Sequence, residues 1–130
     1  MKKGIKVLLL SVLLSLTLLL SSCTSSSGKG IFMMSISSQT DHSFVTEYYK
    51  FEGYKKYKID FEKDTILTMT FTTTSGTLSC EITDSKGNVL FESEDVGNMS
   101  ESITLPNKGK YTIYLEAKEH RGSFEFSWTK

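Results

Sequence analysis

The sequence has 130 residues, which is long enough for one domain with its own hydrophobic core. Its 15 basic residues balance its 15 acidic ones, so the formal net charge is zero. Without a basic stripe or a basic and aromatic cluster, the composition argues against a nucleic-acid partner.

The first 22 residues have the three parts of a secretory signal peptide. A basic start is followed by an apolar stretch over residues 7–20, which only three hydroxyl residues interrupt. A bilayer-spanning helix needs about 20 apolar residues, so this stretch is short for one. The pattern therefore predicts a cleaved leader rather than a transmembrane helix.

The end of this leader has a more specific pattern. Leu20-Ser21-Ser22-Cys23 resembles the lipobox of bacterial lipoproteins, in which an aliphatic and two small residues precede a cysteine. The resemblance implies cleavage between Ser22 and Cys23, a covalent diacylglycerol on the Cys23 sulfur, and a place on the extracytoplasmic face of a bacterial cell membrane. Two acyl chains hold a protein stably on a bilayer. The alternative is a chance cysteine after an ordinary signal peptide.

Removing the leader and its three lysines leaves 12 basic and 15 acidic residues, a formal charge of −3. The next segment is rich in serine and contains Gly28, so residues 23–30 are predicted to be the lipidated cysteine and a flexible tether. The folded domain is then expected over residues 31–130. With Cys23 acylated, Cys80 has no disulfide partner and is predicted to lie in the core.

Beyond the tether, apolar and polar residues alternate with a period of two, which is typical of half-buried strands. The apolar members are Tyr57, Ile59, Phe61; Leu67, Met69, Phe71; Leu78, Cys80, Ile82; Tyr111, Ile113, Leu115; Phe124, Phe126 and Trp128. Turn signals separate these runs at residues 75–76, 84–87, 106–109 and 120–122. The pattern predicts an all-β fold, an antiparallel, jelly-roll-like β-sandwich of eight or nine short strands.

The series of core and turn positions over residues 54–128 resembles the pre-peptidase C-terminal type of bacterial β-sandwich. It is carried by Leu67-x-Met69-x-Phe71, by Gly76-x-Leu78-x-Cys80-x-Ile82-x-Asp84-x-x-Gly87-x-Val89, by Ile103-x-Leu105, by Gly109-x-Tyr111-x-Ile113-x-Leu115 and by Gly122-x-Phe124-x-Phe126. That resemblance implies a jelly-roll-like, non-catalytic module, of a kind that in some members binds polysaccharide or fibrous protein. We expect no enzyme domain beside the module here, and the family's acidic calcium ligands find no match in this sequence.

Residues for catalysis are few. The only histidines, His42 and His120, lie in polar segments that are predicted to be solvated loops. No nucleophile elbow, zinc-binding helix motif or phosphate loop is present in the sequence. We therefore predict no catalytic site, and a small hydrolase ranks third among the functional hypotheses.

Two groups of carboxylates raise the question of a cation site: Asp60, Glu62 and Asp64, and Glu92, Glu94 and Asp95. Oxygen ligands suit Ca²⁺, which takes six to eight of them. Neither group has the regular ligand spacing of a calcium loop, so a solvated acidic surface is the favoured interpretation. No metal ligand is predicted, and calcium is left as an unsupported alternative.

One strand carries an aromatic residue on its polar side. Thr112, Tyr114 and Glu116 share a face, because side chains alternate across a strand, and they are the predicted ligand face. If the strands around Tyr111 and Phe124 pair, that face gains Ser123, Glu125 and Ser127. The alternative is that Tyr114 pairs with a neighbouring strand or lies under a loop.

These observations predict a membrane-anchored extracytoplasmic lipoprotein with a non-catalytic β-sandwich. Its expected task is binding or adhesion at the cell envelope, with a glycan or a protein as partner and no nucleic acid. The alternative is a structural or accessory lipoprotein that occupies an envelope complex and has no ligand of its own.

Overall fold

The computed structural model describes residues 24–129, and within that range all regular structure is β-strand. The strands are β1 (Thr24–Met33), β2 (Ile36–Thr40), β3 (Ser43–Phe61), β4 (Thr65–Thr83), β5 (Val89–Ser93), β6 (Met99–Leu105) and β7 (Gly109–Thr129). Every pairing between them is antiparallel. Over this range no helix is long and apolar enough to cross a bilayer. The predicted leader and Cys23 lie outside the described residues.

Three long strands run through both layers of the molecule. β3 and β4 have 19 residues each and β7 has 21, and the register of their pairing shifts near the middle of each strand. Layer 1 contains β2, residues 43–51 of β3, residues 120–129 of β7, residues 65–73 of β4, and β6. Layer 2 contains β1, residues 53–61 of β3, residues 109–117 of β7, residues 77–83 of β4, and β5.

Aromatic contacts show that the long strands fold back on themselves. Phe44 and Tyr57 both lie on β3, and a straight strand would hold them about 40 Å apart. Their ring centroids are instead 4.5 Å apart. Phe61 of layer 2 likewise contacts Trp128 of layer 1 at 5.2 Å. The two layers therefore face each other, and the predicted all-β, antiparallel β-sandwich is confirmed.

The space between the layers is filled by the side chains that the period-two pattern assigned to the core. Leu67, Met69, Leu78, Ile82, Ile113, Leu115, Phe124 and Phe126 have no accessible surface. Tyr111 and Phe71 are buried as well, while Tyr57 and Trp128 are partly buried against the same cluster. The alternation predicted the inward face of each run correctly.

The number and length of the strands differ from the expectation. The prediction is eight or nine short strands, but residues 24–129 contain seven, because residues 75–76 and 120–122 are bends within β4 and β7 rather than loops between strands. Pairing between β4 and β7 continues on both sides of these bends. The glycine signals mark the places where a strand passes from one layer to the other.

The Ser-rich segment after Cys23 also differs from the expectation. Residues 24–30, predicted to be a flexible tether, pair residue by residue with β3 from Thr24↔Ile59 to Gly30↔Gly53. Strand pairing uses backbone groups, so the free edge of β3 accepts small polar residues as readily as apolar ones. The sandwich therefore includes residues 24–30, and a domain that starts at residue 31 would lack most of β1.

The thiol of Cys80 gives a direct check on the core. Only 1% of its surface is accessible, and burial, with a smaller effect from Glu81, raises its pKa to about 12. In a Cys23→Ser chain we expect a colourimetric thiol reagent to react with Cys80 only after denaturant unfolds the sandwich, since the thiolate is the reactive form. Rapid reaction of the folded chain would contradict the inward position of Cys80.

Candidate functional site

The outer side of layer 2 brings the predicted ligand residues together with side chains from the two adjacent strands. Thr112, Tyr114 and Glu116 lie on β7 between β3 and β4. Tyr114 lies opposite Lys56 of β3 on one side and opposite Glu81 of β4 on the other. We call this surface the tyrosine face, and it consists of Tyr54, Lys56, Ser79, Glu81, Thr112, Tyr114 and Glu116.

Two tyrosines form the centre of the tyrosine face. The rings of Tyr54 on β3 and Tyr114 on β7 have centroids 5.8 Å apart and planes 23° apart. At that separation, nearly parallel rings are offset rather than directly superposed, so each keeps part of its ring surface uncovered. Both residues are half-buried. The sequence left open that Tyr114 would pair with a neighbouring strand, and it does so while remaining accessible.

Charge is distributed unevenly around this pair. The ammonium group of Lys56 lies 5.9 Å from the Tyr114 ring centroid, and Lys29 lies opposite Tyr54 on β1. Carboxylates occupy the other side, where Glu81 faces Glu92 across β4 and β5. Partial burial, followed by the Glu116 carboxylate, raises the pKa of Tyr114, so its hydroxyl stays protonated and can donate a hydrogen bond.

The proposed extension of this face is wrong. Ser123, Glu125 and Ser127 belong to β7 itself, beyond the bend at residues 117–122, and therefore lie on the outer side of layer 1. The strand containing Tyr111 does not pair with the strand containing Phe124, because both are parts of one long strand. The neighbours of Tyr114 come from β3 and β4 instead.

The two histidines lie in different environments. His42 is exposed in the turn between β2 and β3, as predicted. His120, predicted to be solvated, is fully buried on β7 at the bend. A signal for this was present in the sequence, because counting back in steps of two from Phe124 leads to Gly122 and then to His120. The turn signal at residues 120–122 predicts a loop there, which ends the strand before the alternation reaches His120.

Both ring nitrogens of His120 are hydrogen-bonded. The Thr73 hydroxyl donates to the Gly97 carbonyl at 2.8 Å, so at 2.7 Å it accepts from Nε2–H of His120. Nδ1 is then the acceptor for the Tyr48 hydroxyl at 2.5 Å. Burial lowers the pKa of His120, with a weaker opposing effect from Asp95. These contacts hold a neutral imidazole and link β3, β4 and β7 where they bend.

The acidic residues considered for calcium make only exposed contacts. The Asp60 carboxylate lies 3.9 Å from the ammonium group of Lys110, and that of Glu62 lies 3.8 Å from Lys108. Among residues 24–129, no three histidine, cysteine or acidic side chains gather as a metal site would require. The absence of a metal ligand stays a prediction, and calcium stays the unsupported alternative to it.

Neither the protein-family models nor the curated proteins include a match to this sequence. Solved structures with a similar fold include a pre-peptidase C-terminal domain of collagenase from Bacillus anthracis, at 14% identity and a TM-score of 0.45 over 82% of this chain and 89% of that one. The TmCBM61 structure in complex with β-1,4-galactotriose has 14% identity and a TM-score of 0.45, and the match covers 84% of this chain and 89% of that one. The enzymatically active domain of tailspike protein 4 of bacteriophage CBA120 has 14% identity and a TM-score of 0.39. That match covers 82% of the present chain but only 18% of the tailspike chain.

Proposed function

We propose that this chain is a lipid-anchored, extracytoplasmic binding protein whose tyrosine face holds a glycan chain without catalysis. The observation that carries the proposal is the offset pair of Tyr54 and Tyr114, half-buried at the centre of an otherwise polar face. Aromatic rings offer an apolar surface on which the C–H side of a sugar ring can lie. The core does not require these two rings, since both lie on the outward side of layer 2.

The polar neighbours of the pair suit a ligand that carries many hydroxyl groups. Lys56 supplies hydrogen-bond donors, Glu81 and Glu116 supply acceptors, and the protonated hydroxyl of Tyr114 can act as either. A row across the five strands of layer 2 runs Ser27, Lys56, Tyr114, Glu81 and Glu92. At about 4.8 Å between strands it extends about 19 Å. An open surface of this length fits several sugar units of an extended chain.

The test is to remove the two rings. Tyr114→Ala and Tyr54→Ala are each expected to weaken binding to isolated cell-wall glycan, or to the best ligand in a panel of neutral oligosaccharides, by on the order of 1 kcal/mol or more. Tyr49→Ala is the matched control, because Tyr49 is 52% exposed but lies on β3 outside the tyrosine face. Titration calorimetry and sedimentation with the insoluble glycan measure the effect. Unchanged affinity in folded Tyr54 and Tyr114 variants would move the site to the loops.

The anchor has a separate test. The lipobox resemblance predicts that Cys23→Ser removes the acylated thiol, so the protein moves from the membrane to the soluble fraction or keeps its leader uncleaved. Fractionation and intact-mass spectrometry of the wild type and the variant measure this. A wild-type mature chain whose Cys23 carries no lipid would contradict the anchor.

A protein partner is the second candidate for the same face. It is favoured by the separation of charge, with Lys29 and Lys56 towards β1 and Glu81 and Glu92 towards β5. Such a pattern suits a protein partner that places acidic groups towards β1 and basic groups towards β5, and it would fix the orientation of that partner. Capture from native envelope extracts, compared between wild type and Lys56→Glu, distinguishes the two: loss of a protein partner with glycan binding intact would favour the second candidate.

A further inference from the structure

One stretch of the sheet edge exposes apolar side chains without cover. Within the described range seven large hydrophobic residues are exposed, and four of them fall between residues 31 and 36. They are Ile31, Met33, Met34 and Ile36, exposed by 60%, 47%, 83% and 75%. We call these four residues the edge patch. Single exposed apolar residues are ordinary, but a contiguous group on a small domain marks a surface that contacts something apolar.

The fold prevents the edge patch from turning inward. β1 and β2 lie end to end along the same strand β3, with Met33 opposite Lys50 and Ile36 opposite Glu47. Between Ile31 and Met33, the ring of Phe32 points the other way and stacks on Phe51 with centroids 4.2 Å apart. Because the inward place is filled, alternation directs Ile31 and Met33 outward.

We infer that the edge patch lies in the surface of the lipid bilayer. The position of the chain that precedes the structure supports a lipid partner. Cys23, the proposed lipid attachment site, directly precedes Thr24, the first described residue of β1. From Thr24 to Met33 the strand extends about 30 Å. Thr24, the chain neighbour of the proposed anchor, and the edge patch therefore lie on one edge of the sandwich, where a flat membrane can contact both. This placement rests on the proposed membrane anchor.

The residues around the edge patch suit shallow contact with lipid. Free edge strands carry unpaired backbone N–H and C=O groups, so the strand itself stays at the hydrated headgroup level while the side chains reach the acyl region. On β1 and β3 the nearest charges balance, with Lys29 and Lys50 against Glu47 and Glu52. The contact is therefore apolar in origin and depends little on salt or on the fraction of anionic lipid.

This contact would orient the sandwich on the membrane. The opposite edge, formed by β5 and β6, points away from the lipid. Val89 on β5 is 51% exposed and serves as a matched control for position 34.

The test uses the full chain in vesicles of phosphatidylethanolamine and phosphatidylglycerol. Met34→Cys and Val89→Cys each carry an environment-sensitive fluorophore, and the wild type treated in the same way is the blank, since Cys80 is buried. We expect blue-shifted emission at position 34 that nitroxide-labelled lipids quench, and emission typical of water at position 89. Neither signal should change when salt is raised.

Each other result is decisive. Water-like emission at position 34 in a membrane-bound chain would overturn the inference. A blue shift that disappears as the protein is diluted over more vesicles would overturn it too, because the edge patch would then be covered by a second copy. Mass spectrometry of the same sample reports acylation of Cys23 independently, so failure of the anchor is distinguished from failure of the edge patch.

Discussion

Replacing Gly122 with alanine is expected to cost at least about 4 kcal/mol of folding free energy, or to prevent folding altogether. Gly122 lies where β7 passes between the layers, and its φ of 153° is one that other residues rarely adopt. A Cβ at this position would lie 1.8 Å from the carbonyl oxygen of Thr72 on the paired strand. That oxygen belongs to the backbone of β4, so relieving the collision requires the two central strands to move apart.

Gly109 offers a closely matched control for this variant. Its φ is 156°, and a Cβ built there meets no atom within 4 Å. Gly109→Ala therefore has the same backbone strain without the collision, and we expect a cost of about 1–2 kcal/mol. Urea unfolding followed by circular dichroism measures both variants. Equal costs would show that strain in φ, rather than contact with Thr72, makes glycine necessary at position 122.

The bends in the long strands β4 and β7 explain which parts of the fold the sequence predicts. The alternation of residues such as Leu78, Cys80 and Ile82 identifies the inward side because one face of each strand must leave water. Gly76 and Gly122 give the same local signal whether the chain reverses in a hairpin or bends and continues. The difference depends on which distant strand supplies backbone partners, and here β4 and β7 supply them to each other on both sides of the bend. Local sequence does not contain that information.

The candidate site, like the fold, was predictable from the sequence only in part. Thr112, Tyr114 and Glu116 were placed on one face by strand parity alone, and they share a face in the structure. The partner ring of Tyr54 was beyond prediction, because it depends on the register between two strands that are more than fifty residues apart in the chain. The strand β1 was missed for a related reason: its serines carry no apolar pattern, and only the free edge of β3 makes them a strand.

Replacing His120 with alanine is expected to cause the second large loss of folding free energy. His120→Ala should cost about 3–5 kcal/mol at pH 7.5, because it leaves a cavity between the layers and removes the partners of the Tyr48 and Thr73 hydroxyls. The exposed His42 is the matched control, and His42→Ala should change stability by less than about 0.5 kcal/mol.

The cost of His120→Ala should also depend on pH. Burial lowers the pKa of His120 in the folded chain below its ordinary value of 6.5, so the unfolded chain takes up the proton first as the pH falls. The stability that neutral His120 contributes is complete above pH 6.5 and declines below it, by up to about 1.4 kcal/mol per pH unit, until the folded chain also binds the proton.

Acid therefore lowers the stability of the wild type through His120, and it has no such effect on the alanine variant, which lacks this group. Carboxylates titrate in both chains and cancel in the difference. Urea unfolding at pH 7.5, 6.5 and 5.5 should show the gap in folding free energy between wild type and His120→Ala narrowing with acid. A constant gap would mean that His120 binds its proton as readily in the folded chain as in the unfolded one, which would contradict a neutral imidazole held between Tyr48 and Thr73.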